Sequence, residues 1–453
     1  MSTIAAISTP LSQGGLGVIR ISGERAIEIA QKVFKSQNGV KLADKKGYTA
    51  VLGTVFDKDG DIDEAIALIF RAPLSYTGED VVEFSLHGGV YVLTRTLEAL
   101  INSGACVAGP GEFTKRAFLN GKMSLTQAES VMDIISAQGL SSSRAALEGR
   151  QGALFNEIQG IKSLLISAQS HICAFIDFPE EDVDEVENEK LLCDLQSAKD
   201  RLFRLINDYS KGKILREGIK TAIVGKPNVG KSTLMNRLSG YEKSIVTSIA
   251  GTTRDVVEES VRLKNVTLRL FDTAGMRETN DEVEKIGVEL AQKNLESSDL
   301  VLAVFDASEE IDDNDKALIE KIKGRTVIGI VNKTDKPKKC DTDYLKENLK
   351  DLIFISAKED NDLSELEELI EKVVNLNGFD SSTGVLSNLR QLECAKGAYE
   401  HLNDAVFALK NAVTLDAVGV CVESALESLS LLTGESASEA VIDEVFSRFC
   451  VGK

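Results

Sequence analysis

The chain has 453 residues, long enough for about three domains, and 43% hydrophobic with 27% charged residues is an ordinary globular balance. A formal net charge of −19 disfavours non-specific attraction to nucleic acid or anionic membrane, so an RNA substrate has to be held by local basic patches or by a partner. Seven cysteines without a CxxC pair argue against a zinc site and a disulfide framework, and no run approaches the length of a membrane span.

The opening, Met1-Ser2-Thr3-Ile4-Ala5-Ala6-Ile7, lacks a basic leader region, so a cytoplasmic protein with no membrane association is expected. Residues 1–118 alternate strand and helix signals. Leu16 to Ile21 reads as a strand, Ser22 as an N-cap, and Ala26, Ile27, Ala30, Val33 and Phe34 as an apolar helical face. Tyr48 to Phe56 and Ile62 to Phe70 flank Asp57-Lys58-Asp59-Gly60-Asp61 as a hairpin. Its carboxylates do not make a calcium loop, because the glycine is misplaced and no glutamate closes the twelfth position. The next strand contains Glu83, which shares a face with Val81 and Ser85 and should have a partner. It ends at His87-Gly88-Gly89, where the histidine reads as structural. From 119 to 215 the period becomes helical: Leu154, Ile158, Ile161, Leu165, Ala168 and Ile172, then Leu191, Leu195, Ala198, Leu202 and Leu205. Between these stretches Phe178-Pro179 opens an acidic run to Glu189, read as a solvated turn.

Chemistry concentrates in the next segment, 216–375. Gly225-Lys226-Pro227-Asn228-Val229-Gly230-Lys231-Ser232 follows the apolar run Ala222 to Val224 and precedes a helical pattern. Such a loop turns backbone N–H groups onto phosphate oxygens; Lys231 reaches the β/γ-phosphates and the Ser232 hydroxyl ligates Mg²⁺. Thr252-Thr253-Arg254-Asp255, Asp272-Thr273-Ala274-Gly275, Asn332-Lys333-Thr334-Asp335 and Ser356-Ala357-Lys358 follow in order, the last three each at the end of a buried strand, where ligands of open α/β sheets bind. An oxygen in the loop holding Thr253 can complete the Mg²⁺ shell. Asp335 can accept from the N1–H and exocyclic amine of guanine, which selects GTP over ATP. Met276 stands where Ras-like enzymes have a water-positioning glutamine, so another group has to supply that function. After this module the helical period returns at Tyr399, Leu402, Val406 and Leu409, and at Val418, Val422, Ala425 and Leu429. Helices on both sides of the module most simply form one bundle, with the GTPase inserted in it.

The opening Gly14-Gly15-Leu16-Gly17-Val18-Ile19-Arg20-Ile21-Ser22-Gly23, the Thr77-Gly78-Glu79-Asp80 region, Gly111-Glu112-Phe113 with Arg116-Ala117-Phe118-Leu119-Asn120, and the closing Phe449-Cys450-Val451-Gly452-Lys453 together resemble the MnmE (TrmE) family of tRNA-modification GTPases. Val451 stands where that ending usually has isoleucine. The resemblance implies a multidomain α+β and α/β protein. It comprises an N-terminal α+β folate-binding and dimerisation domain (1–118), a discontinuous helical bundle (119–215 and 376–453) and an inserted Ras-like P-loop GTPase domain (216–375). It implies a homodimer through the N-terminal domain, a heterotetramer with the FAD protein MnmG, and a tetrahydrofolate derivative (5-formyl- or 5,10-methylene-THF) as one-carbon donor. The product that the resemblance implies is an aminomethyl or carboxymethylaminomethyl group on C5 of the wobble uridine of certain tRNAs.

Carried over by position, the GTP contacts are Asn228, Val229, Gly230, Lys231, Ser232 and Thr233; Thr247, Ser248, Ile249, Ala250, Gly251, Thr252 and Thr253; Asp272, Thr273, Ala274 and Gly275; Asn332, Lys333 and Asp335; and Ser356, Ala357 and Lys358. Mg²⁺ falls to Ser232 and Thr253, and K⁺ to Asn228, Thr247, Ile249 and Thr252. Glu284 matches the family's water-activating glutamate. Folate falls to Arg20, Glu83, Lys122 and Lys453, with Cys450 beside it as nucleophile or as lining. A helical spacing of Val441, Ile442, Val445, Phe446 and Phe449 predicts that this last turn is packed down. A ribosome-assembly GTPase would add an RNA-binding module, and no KH-type Gly-x-x-Gly loop occurs in a basic setting. A prenylated GTPase is not expected, since Gly452 and Lys453 do not suit the penultimate and final positions of a prenylation box.

Overall fold

The computed structural model describes residues 2–137, 139–177, 185–240, 258–263, 266–271, 295–359, 363–374, 384–411 and 413–453. The chain divides into two compact units. The first comprises Met1–Met132, Phe155–Lys199 and Cys394–Lys453, and the second Asp133–Leu154 and Asp200–Glu393.

Among the described residues, the first unit contains a seven-stranded sheet in the order β3-β4-β5-β6-β2-β1-β7. The strands are β1 (Ile4–Ile7), β2 (Gly17–Ser22), β3 (Phe34–Ser36), β4 (Thr49–Asp57), β5 (Gly60–Phe70), β6 (Val81–Leu86) and β7 (Cys106–Val107). All neighbours pair antiparallel except β1 with β7. The two-residue period of β2 and β6 sends Ile19, Ile21, Val82 and Phe84 into a core shared with Ile29 of the helix Ala26–Lys32 and Leu93 and Leu100 of the helix Val90–Asn102. Burying each of these large side chains stabilises the unit by about 1.5–3 kcal/mol. The same alternation places Arg20 directly opposite Glu83 on the other face of the sheet.

Ser22 corrects an expectation. It ends β2 and does not cap the following helix, whose N-cap is Arg25 with no side-chain cap bond. Gly23 at φ 139° turns the chain first, and the Ser22 hydroxyl is fully buried against Thr77 and Glu79. The helical periods do form long helices, Ala153–Asp177, Glu185–Asn207, Leu389–Lys410 and Leu415–Thr433. Their stripes Ile158–Ile161–Leu165–Ile172, Leu191–Leu195–Ala198, Leu402–Ala405 and Val418–Val422–Leu429 are buried. The buried Lys162 ties two of the first unit's segments together through Ser430 (3.0 Å) and Glu435 (2.6 Å). The acidic run lies partly outside the described residues.

The chain's last helix, Glu439–Ser447, is capped by the Ser438 hydroxyl, which accepts from Val441 N–H. Its Ile442 and Phe446, with Phe449 beyond it, pack on Ala117, Met123, Leu125 and Val131. The following residues stay docked: Val451 bridges Pro110, Gly111 N–H donates to the Cys450 carbonyl, and Phe113 N–H donates to the Lys453 carbonyl.

In the second unit the described strands form a six-stranded sheet, β13-β12-β11-β8-β10-β9. They are β8 (Ile219–Val224), β9 (Glu258–Arg262), β10 (Thr267–Phe271), β11 (Leu300–Asp306), β12 (Val327–Asn332) and β13 (Asp351–Phe354). Only β9 runs antiparallel to its neighbour. All seven residues of β11 are buried, as parallel strands covered on both faces require. The order runs from β8 to β10 on one side and to β11 on the other, so a crevice opens beyond the carboxyl end of β8, where such sheets bind ligands.

Candidate functional site

That crevice is edged by the loop between Val224 and the helix Lys231–Gly240. Gly225 (φ 151°), Asn228 (φ 64°) and Gly230 (φ 101°) adopt positive φ. A Cβ on Gly225 would lie 2.4 Å from the Val304 carbonyl, and one on Gly230 2.2 Å from Asn332 Nδ2, so neither position tolerates a side chain. The result is a concave run of backbone at a helix N-terminus, which fits a polyphosphate. Lys231 Nζ donates to the Gly225 and Lys226 carbonyls at 2.8 and 2.7 Å, and burial pushes its ammonium pKa down. A phosphate oxygen in the cradle is a stronger acceptor for the same ammonium.

Two further strand ends converge on this loop. Asn332 closes β12, buried, and donates from Nδ2 to the Val229 carbonyl (2.8 Å) while its Oδ1 accepts from Ala357 N–H (2.9 Å). It thereby joins the glycine loop to the Ser356-Ala357-Lys358 loop. Lys333 donates to the Asn228 carbonyl (2.6 Å) and pairs with Asp306 (2.5 Å). Burial opposes ionisation of Asp306, but the bonds from Lys333 and Ser308 outweigh it and leave its pKa below the usual range. The exposed Asp335 accepts from Ser356 Oγ at 2.7 Å, which holds its carboxyl below the usual range. Arg237 donates to the carbonyls of Ala357 and Lys358 (both 3.1 Å), fixing the loop beside it. Ser232 and Thr233 are exposed in the first helical turn, where an oxygen ligand suits a hard cation.

Thr247, Ser248, Ile249, Ala250, Gly251, Thr252, Thr253, Asp272, Thr273, Ala274, Gly275 and Glu284 lie outside the described residues. Among the described residues no group of three or more His, Cys, Asp or Glu could hold a metal ion. One contributor was missed from sequence. Lys226 is anchored by Asp315 (2.8 Å) and Asp312 (3.0 Å), and these pairs outweigh burial and raise its pKa. Asp312 also caps the helix Asp313–Ile322. That cap was legible in Asp312-Asp313-Asn314-Asp315, whereas its contact with the loop was not.

A second polar site lies in the first unit. Arg20 Nε donates to Glu83 Oε1 (2.7 Å), and its guanidinium sits 5.5 and 5.4 Å from the ring centroids of Tyr76 and Phe113. Its Nη1 approaches the Gly452 carbonyl (3.5 Å), which also accepts from Ser8 Oγ (3.1 Å). Gly452 therefore reaches the arginine while Cys450, Val451 and Lys453 pair with Gly111, Pro110 and Phe113, and Cys450 is exposed. Lys122 donates to the Pro73 carbonyl (3.0 Å) rather than to this cluster. Beside it, the buried Arg116 bridges Glu79 (3.1 Å) and Glu112 (2.8 Å). Tyr76 and Ser8 carry no motif of their own and escaped the sequence reading, and Gly452 entered it only as part of the closing Phe449–Lys453 stretch.

No described helix is long and apolar enough to cross a membrane. A family model described as GTP-binding protein TrmE N-terminus matches residues 3–122, and one described as MnmE helical domain matches residues 125–450. The tRNA modification GTPase MnmE of Lactobacillus helveticus (strain DPC 4571) is 42% identical over 456 residues, covering 100% of this chain and 98% of its own. Those of Caldicellulosiruptor saccharolyticus and Thermoanaerobacter pseudethanolicus are 43% and 40% identical, each covering 100% of this chain and 99% of its own. The glycine loop, the Asn332–Asp335 loop and this full-length similarity agree: the chain belongs to the MnmE (TrmE) family of tRNA modification GTPases.

Proposed function

We propose that this GTPase works with the FAD protein MnmG to place an aminomethyl or carboxymethylaminomethyl group on C5 of the wobble uridine, taking one carbon from a tetrahydrofolate derivative. In this reading residues 1–118 bind folate and dimerise, 119–215 and 376–453 form the helical domain, and 216–375 form the GTPase domain. The protein acts in the cytoplasm as a homodimer that assembles with MnmG into a heterotetramer. The observation that supports the modification half is the Arg20–Glu83 pair beneath Tyr76 and Phe113, reached by Gly452. A carboxylate paired with an arginine that lies against two aromatic rings suits a flat heterocycle with N–H donors. In this reading Lys453 and Cys450 line its edge, and Lys122, which donates to the Pro73 carbonyl, turns to the folate tail.

On the nucleotide side, Asp335 selects guanine, the loop N–H groups and Lys231 hold the phosphates, and Asn332 and Lys333 keep that loop in shape. Mg²⁺, held by Ser232 and Thr253, supplies positive charge against the phosphates. Asn228, with Thr247, Ile249 and Thr252, holds K⁺ in place of an arginine finger, and Glu284 orients the attacking water. The test is reconstitution: the purified protein, its FAD partner, GTP, K⁺, methylene-tetrahydrofolate, a nitrogen donor and unmodified tRNA should yield the modified wobble nucleoside by mass spectrometry. Formation of equal product without folate would overturn the one-carbon assignment. Equal GTP turnover in K⁺ and Na⁺ at one ionic strength would overturn the potassium site.

A further inference from the structure

A second cleft in the GTPase-bearing unit lies at the opposite end of the strands from the nucleotide loop. Its volume is about 570 Å³, and among the described residues its lining carries Lys323, Arg325, Lys350 and Lys372 and one carboxylate, Asp351, with Glu320 paired to Lys323 beside it. Val327 and Asp351 begin β12 and β13 here, whereas Asn332 ends β12 at the glycine loop. Six residues of strand separate the two sites by roughly 16 Å, so both can be filled at once.

The four cations are not all committed within the protein. Lys323 pairs with Glu320 (3.1 Å), and Arg325 donates to the Leu295 carbonyl (2.8 Å). Among the described residues, Lys350 and Lys372 form no ion pair. Between them the exposed Gly324 turns at φ 83° with open space where a Cβ would stand, leaving the backbone approachable. Thr326 and Asn348 add an exposed hydroxyl and amide. In a chain of net charge −19 such a concentration of positive charge runs against the whole-molecule field.

We infer that this cleft is a contact for the phosphate backbone of the tRNA substrate. Exposed ammonium groups hold a lone small anion weakly, but they hold a polyanion well, because each phosphate neutralised releases condensed counterions. Phosphate contacts of this kind fix position without reading sequence. The inference rests on tRNA being the substrate and adds where this chain holds it.

The test uses the full-length protein and unmodified tRNA, with binding measured over a range of salt concentrations. The double variant Lys350→Gln/Lys372→Gln should weaken binding by about tenfold near 0.1 M salt and flatten the slope of log K against log[salt] by about 1 to 2. GTP turnover without tRNA should be unchanged, which also shows that the variant is folded. Inorganic phosphate at matched ionic strength should not displace the tRNA. Failure of the parent protein to bind tRNA would overturn the substrate reading and the cleft with it. Binding by the parent with the same affinity and slope in the variant would overturn the cleft alone, as would displacement by inorganic phosphate, or loss of binding to an acidic protein partner while tRNA binding is kept.

Discussion

Asp335 is held by one hydrogen bond from Ser356 and otherwise faces solvent, so its carboxylate is available to a base. Replacing it by Asn puts an amide donor where guanine presents donors, and leaves them unpaired. Asp335→Asn is expected to lower GTP affinity by roughly 10²-fold while improving xanthosine triphosphate binding, measured by nucleotide titration. Unchanged GTP affinity would remove Asp335 from the site. Such roles are legible in sequence because a motif carries its own geometry: glycine at 225 and 230 already implies a backbone that a side chain would block. The anchor of Lys226 is different. Its partners Asp312 and Asp315 are 86 and 89 positions away, and nothing local in either segment specifies the other.

The β4–β5 hairpin shows what an element's own pattern contains and what it omits. Two apolar runs around Asp57-Lys58-Asp59-Gly60 are enough to specify the turn, and the strands pair as expected. That the Asp57 carboxylate then reaches the helix Val90–Asn102 and takes both bonds from Arg95 (each 2.7 Å) depends on the helix lying over the sheet. The hydrogen bond from Arg95 depresses the Asp57 pKa. A depressed carboxylate contributes stability above its unfolded pKa of about 3.9 and loses it as the pH falls through the lower folded value. Arg95→Gln is therefore expected to lower the thermal midpoint at neutral pH, and the gap from the parent should close as the pH is taken from about 5 to below about 3. A gap that stays constant over that range would mean that Arg95 acts by packing alone. Ser22 teaches the opposite lesson: a good capping residue became the end of a strand because Gly23 turned the chain and the buried Thr77 and half-buried Glu79 offered its hydroxyl better partners.

At the scale of the whole molecule, residues 450–453 meet segments more than three hundred positions earlier, at Ser8, Arg20, Gly111 and Phe113. Gly452 has φ 94°, and a Cβ there would lie 2.4 Å from the Ile7 carbonyl, so the docking geometry is strict. Deleting Cys450–Lys453 is expected to abolish tRNA modification in the reconstituted system and leave GTP hydrolysis largely intact. Normal modification by the truncated protein would show the segment to be dispensable. By itself the sequence determined the long helices, the glycine loop at the end of β8, the Asn332–Asp335 loop at the end of β12 and the apolar stripe that packs the last helix, because each is a local pattern of spacing and backbone preference. Only the tertiary structure decided that Arg20 would face Glu83 under two aromatic rings and the chain's last residues, and that four scattered cations would share one cleft. Sheet register, and the distant segments that fold onto it, set those neighbours, and no local pattern encodes them.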